Sequence, residues 1–237
     1  MLVFRRSPFY GLCMIAGALL IGIAGLCHPV LSGDGAAQLG AISRTAAWRT
    51  MHWALGFGLP LLYAGLVGVA LRHLDTPSGN QARAGVMLAG FAFAVWAINI
   101  LFMAGAATQL ARAYLIGEPG LTATRAVFLY DMLHPFGLAA ERLATFALGL
   151  ALYLYGWTVI NGRAWPRWLG WGAIGGGGAC MAVAVVFPET AVYLYYGQAL
   201  LVAWCAIAGV LMIAETRRVY GRGEGQTESA PRCSGGA

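Results

Sequence analysis

Tyr130 to Ile160 reads YDMLHPFGLAAERLATFALGLALYLYGWTVI, the one long apolar stretch of this chain that also carries several ionisable groups. Asp131, His134, Glu141 and Arg142 come first, and the eighteen residues from Leu143 to Ile160 then carry no charge. At ~1.5 Å per helical residue such a run reaches ~27 Å, close to the ~30 Å hydrocarbon thickness of a bilayer. The stretch reads as a transmembrane helix with polar groups gathered at one mouth.

Working outward, the composition agrees. Apolar residues make up 59% of the chain and charged residues 10%, whereas roughly a quarter of a soluble domain is charged. A soluble domain and a nucleic-acid partner are both excluded on this ground, and the lipid bilayer is the first partner. Six apolar segments are long enough to span: Tyr10–Val30, His52–Leu71, Ala84–Ala107, Phe136–Ile160, Trp168–Phe187 and Val192–Ala214. The first has a basic start but no Ala-x-Ala cleavage signal at the end of its apolar run, so it is expected to be a retained span. The expected fold class is all-α, a bundle of six transmembrane helices over residues 1–220, followed by a disordered cytoplasmic tail over 221–237.

All fifteen basic residues are arginine. With the N-terminus inside, Arg5, Arg6, Arg72, Arg83, Arg163, Arg167, Arg217, Arg218, Arg222 and Arg232 fall on the cytoplasmic side. The outer loops then hold Arg44, Arg49, Arg112 and Arg125, and Arg142 sits at the outer end of the fourth span. The positive-inside rule places both termini in the cytoplasm on that asymmetry, in an inner (plasma) membrane. Of the cysteines at 13, 27, 180, 205 and 233, only Cys27 is expected to face an oxidising compartment.

The connections carry further expectations. The loop from Leu31 to Met51 has an Ala-rich second half suited to a short interfacial helix, and Thr108 to Pro135 reads as a larger loop turning at Glu118-Pro119-Gly120. A tight turn is expected at Phe187-Pro188-Glu189. Trp165 and Trp168, and the clusters Tyr153/Tyr155/Trp157 and Tyr193/Tyr195/Tyr196, read as interfacial aromatic belts. The glycine run Gly175–Gly178 suits close helix packing.

The segment Trp165-Pro166-Arg167-Trp168-Leu169-Gly170-Trp171-Gly172 resembles that of uncharacterised six-span bacterial integral membrane proteins, in which a PxWLGWxG-type turn introduces the fifth span. The resemblance covers the second half of the chain and implies topology, with no activity to carry over.

On this topology His28, His52 and His134 share the outer face at similar depth, with Glu141 two turns beyond His134 and on much the same side of its helix. Imidazoles from different helices are ligands for a transition metal or a b-type haem, and a carboxylate completes or orients such a shell. His28, His52 and His134 are therefore the candidate cofactor-binding residues, and Glu141 joins them in the alternative metal set. The plainer reading makes them amphipathic side chains at helix ends, with His28-Pro29 and His134-Pro135 as helix boundaries. Asn99, alone in its apolar span, is expected to be a structural polar residue bonded to another helix. Arg142 is structural as well, since neighbours on a helix point ~100° apart and do not pair face to face with Glu141 or any other adjacent residue.

No phosphate loop, nucleophile elbow or catalytic carboxylate pair occurs, so no residue is assigned to catalysis. Three functions stay open. An accessory or interaction subunit of a membrane complex, with a protein partner or a second copy, is favoured by the lack of a catalytic motif. A haem b- or metal-binding redox component and a small-solute transporter are the alternatives, the last resting on Asn99, Pro60 and the Gly175–Gly178 run.

Overall fold

The computed structural model describes residues 7–117, 120–162, 164–187 and 191–227, and over these the chain is all-α. Eight helices follow one another: α1 (Pro8–Cys27), α2 (Gly35–Arg44), α3 (Trp48–His73), α4 (Gly79–Ala104), α5 (Ala106–Ile116), α6 (Ala123–Gly162), α7 (Arg167–Val186) and α8 (Ala191–Thr227). Six helical segments are long and apolar enough to cross a membrane, so the chain is a multi-pass membrane protein. They are α1, α3, α4 (running on into α5), α6, α7 and α8.

The six close into a ring in which each packs on its sequence neighbours and α8 returns to α1. Shorter approaches of α3, α6 and α8 to one another fill the middle. Up-and-down connection gives the bundle two ends. Cys27, Trp48, Ala104 and Val186 lie towards one, here the His28 end, whereas Pro8, Gly79, Gly162 and Arg167 lie towards the other, the His73 end.

Helix starts follow from local chemistry. Ser7 caps α1 by accepting from the Phe9 amide at 3.2 Å, with Pro8 in the first turn, where its missing N–H costs nothing. Asp34 caps α2 through a 2.9 Å bond from the Ala37 amide. The chain's glycines then let the helices close. A Cβ on Gly149 of α6 would stand 2.7 Å from the Gly177 carbonyl oxygen of α7, so those two backbones touch. Within the Gly175–Gly178 run only Gly177 makes such an approach, because Gly175 and Gly178 face open space.

At the His28 end, α2, α5 and the first turns of α6 pack together as a cap. Three expectations change here. The Thr108–Pro135 stretch is largely helical, with Gly117 (φ 66°) and Gly120 (φ 81°) flanking residues 118 and 119, which lie outside the described residues. Pro135 does not open α6 but lies inside it. The lost backbone bond at a proline is tolerated because the preceding turns are anchored: Ala126 and Tyr130 are buried, and the Tyr130 hydroxyl donates to Gln38 Oε1 of α2 at 2.8 Å. The helix in the 31–51 loop is α2, nearer its first half than the Ala-rich second half.

The aromatic belts are also revised. Tyr155 is fully buried and donates to the Leu66 carbonyl at 3.0 Å, and Trp165 is buried with its indole N–H 3.3 Å from Glu215 Oε2, whereas Trp168 is exposed. Glu215 also meets Arg72 Nε at 3.5 Å, tying α3 to α8 at the His73 end. The side chain of Tyr193, the Pro188-Glu189 turn and residues 228–237 lie outside the described residues. Helix α8 continues past Tyr220 to Thr227, into the stretch read from composition as tail.

Candidate functional site

At the His28 end the turns of α1, α3, α4, α6 and α8 do not close completely, and a cavity of about 940 Å³ opens between them. Its wall is mostly apolar, with Leu55, Ile100, Leu138 and Val202 among the residues facing it. Into that wall project His28, His52, Asn99, His134, Glu141, Tyr195 and Gln198. Leu19, Ile23 and Leu26 of α1 and Tyr196 of α8 both line the cavity and lie on the outer surface, so its mouth is the seam between α1 and α8.

Two groups of polar contacts occupy the site. In the first, His28 Nε2 lies 3.3 Å from His52 Nε2. His52 Nδ1 is 2.8 Å from the Trp48 carbonyl oxygen, which only accepts, so Nδ1 carries the proton and neutral His52 presents a lone pair at Nε2. Opposite a neutral His52, His28 donates from Nε2, which leaves its Nδ1 to accept from the Tyr195 hydroxyl 3.4 Å away. With both rings neutral, the order Tyr195, His28, His52, Trp48 is a chain of hydrogen bonds running in one direction. Trp48 flanks both imidazoles, with ring centroids 4.8 Å from His28 and 4.4 Å from His52. Burial pushes the His28 imidazole below its usual titration range.

In the second group, Glu141 is 6% exposed and accepts from two carboxamides on two other helices. Asn99 Nδ2 of α4 donates to Oε2 at 2.8 Å and Gln198 Nε2 of α8 donates to Oε1 at 2.9 Å. Asn99 therefore makes the interhelical bond expected of it. Its own Oδ1 is buried and has no donor among the described residues.

His134 lines the same cavity but stacks on Tyr130, one helical turn earlier, at 4.7 Å and 21°. His28, His52 and His134 thus all line one cavity, and two of them touch. Among the described residues no group of three or more His, Cys, Asp and Glu stands close enough to hold a metal ion. Arg142 turns away from Glu141: its Nε donates to the Ala184 carbonyl at 2.6 Å and an Nη2 to the Phe187 carbonyl at 2.8 Å, closing the C-terminal end of α7. His73, the fourth histidine, is buried against Trp165 at the far end.

Sequence reasoning missed Gln198 and placed Tyr195 in an aromatic belt. The signal for Gln198 was the one used for Asn99, a single carboxamide in an otherwise apolar span. No protein-family model matches the chain, and no curated protein or solved structure matches it significantly.

Proposed function

We propose that the chain is a membrane-embedded binding protein, of the carrier type among the alternatives raised by its sequence, that takes a small amphipathic molecule into the cavity between α1, α3, α4, α6 and α8. The observation that carries this reading is the cavity itself: about 940 Å³, apolar over most of its wall, with polar side chains converging from α3, α4, α6 and α8 and from His28 at the end of α1. Small-molecule sites have this build, an apolar enclosure of ~300–1,000 Å³ with a few placed polar groups. Polar and ionisable groups at such depth cost free energy unless they serve a ligand or pathway. A mouth flanked by exposed Leu19, Ile23 and Leu26 suits a guest arriving from the lipid.

The test is binding of a neutral environment-sensitive dye, Nile red, to the purified full-length protein. Gly25 lines the cavity, and a Cβ there meets nothing within 4 Å, so Gly25→Trp adds an indole with room to enter the space. Stoichiometric dye binding lost in Gly25→Trp supports the reading. Binding that is absent, or unchanged by Gly25→Trp, overturns it.

A transition metal or b-type haem at His28 and His52 is the second reading, favoured by the 3.3 Å approach of their Nε2 atoms. That distance suits two corners of a tetrahedral site with ~2.0–2.1 Å metal–nitrogen bonds. It is shorter than the ~4 Å between two axial imidazoles on one haem iron. Elemental analysis and a reduced-minus-oxidised spectrum of protein prepared without chelator decide it. The accessory-subunit reading needs a partner surface, and the apolar helix faces serve lipid equally well. The resemblance to six-span bacterial proteins bears on topology alone.

A further inference from the structure

We infer that the molecule bound in this cavity is an amphipathic cation, a protonated amine on an apolar body, with its N–H groups directed at Glu141. The inference rests on the cavity being a ligand site and adds the chemical class of the ligand. Its first ground is charge. Glu141 has no ion-pair partner among the described residues, although it is almost wholly buried. The adjacent Arg142 is committed to the α7 carbonyls, and Arg72 lies at the opposite end of the bundle. A carboxylate without a cation at such depth is costly, so a proton or a cationic guest completes the site.

The second ground is the balance of donors and acceptors. Both amides that reach Glu141 spend an N–H on it, and Asn99 Oδ1 is left with no donor. The cluster is rich in acceptors, so it is completed by a group that brings hydrogens. An ammonium brings up to three along with the charge; an anion or a ketone brings neither. The third ground is space. The volume is far more than a bare metal ion needs, and the rest of the wall is hydrocarbon and aromatic, with Trp96 and Tyr195 among the lining residues, a type of wall that suits a cation. When the guest leaves, a proton taken up from water neutralises the same carboxylate, and after a rotation of the amide Asn99 Oδ1 accepts a hydrogen bond from the new carboxyl O–H.

The experiment uses full-length protein in detergent at neutral pH and two probes, monodansylcadaverine, a primary ammonium, and its neutral N-acetyl derivative. Wild type should bind the amine about tenfold more tightly than the acetylated probe. Glu141→Gln, which keeps the size of the side chain and removes its charge, should erase that preference, and Glu141→Asp should keep it. Equal binding of both probes by wild type, or a preference that survives Glu141→Gln, overturns the cation inference while leaving the cavity reading standing. If wild type binds Nile red but neither probe, the cation inference falls alone; if it binds none of the three, or binds them undiminished in Gly25→Trp, the cavity reading falls and the inference with it. The wild-type comparison decides the point even where Glu141→Gln does not fold.

Discussion

Glu141 of α6 and Gln198 of α8 are joined by a 2.9 Å hydrogen bond across the cavity wall. Because α6 and α8 are not sequence neighbours in the ring, this bond and its counterpart from Asn99 tie three helices through one carboxyl group. Replacing Gln198 by Leu leaves Glu141 Oε1 without its donor, a loss of ~1–3 kcal/mol for a buried acceptor. The midpoint of thermal unfolding in detergent should fall accordingly. An unchanged midpoint means that water already satisfies that oxygen.

The glycines of α6 and α7 separate packing from composition. At Gly149 a Cβ would stand 2.7 Å from a backbone oxygen and 2.9 Å from Cys180 Cβ, so Gly149→Leu forces α7 away, at ~1–3 kcal/mol or more. At Gly175 and Gly178 a Cβ meets nothing within 4 Å, and alanine there should stabilise the helix by ~0.5–1 kcal/mol. Unfolding midpoints of the three variants check the contrast. Equal effects at all three positions would remove the α6–α7 contact from the account.

Arg142 is expected to act on α7 and not on the cavity. Its guanidinium bonds the carbonyls of Ala184 and Phe187, and hydrogen bonds to a charged group contribute ~1.5–3 kcal/mol. Arg142→Met should lower thermal stability by about that amount, and Arg142→Lys by less, with dye binding retained in both. Loss of dye binding in Arg142→Lys at unchanged stability would instead place the residue in the ligand site.

These residues show what the sequence makes legible. Length and apolarity locate the six spans because crossing a bilayer demands both, and Asn99 announces an interhelical bond because an amide in hydrocarbon needs one. Its partners are not announced: Glu141 and Gln198 lie far along the chain, and only the closing of α6 and α8 around α4 brings them within reach. Tyr153, Tyr155 and Trp157 look alike in sequence. On a helix alternate residues point ~200° apart, so Tyr155 faces inward to Leu66 while its neighbours face elsewhere. Pro135 reads as a helix start since it lacks an N–H, yet the cap formed with α2 and α5 holds helix on both sides of it.

Stability should also depend on pH through His28. Burial holds its imidazole below the ordinary value of 6.5, with His52 of α3 and Tyr195 of α8 facing it. The unfolded chain then binds a proton that the folded protein resists, so this contribution is complete above pH 6.5 and is lost as pH falls below it. In chelator-treated protein the unfolding midpoint should drop between pH 6.5 and more acidic values, and His28→Gln should flatten that drop. A slope unchanged by His28→Gln would assign the dependence to other groups.

Orientation is the expectation that the arginines carry alone. If the His28 end faces outward, Cys27 is open to the outside, since it is exposed at the end of α1 while Cys13, Cys180 and Cys205 are buried. A membrane-impermeant maleimide added to intact cells should then label the protein, and Cys27→Ser should abolish that labelling. Cys233, beyond the described residues, is expected inside with the rest of the C-terminal segment and should react only after permeabilisation. Labelling of Cys27 that appears only in permeabilised cells reverses the topology. It would also move the cavity's mouth to the cytoplasmic half of the bilayer, so that a guest entering from lipid comes from the inner leaflet. An alkaline-phosphatase fusion made after Arg72 reads the same question from the other end: both termini inside require it to be inactive.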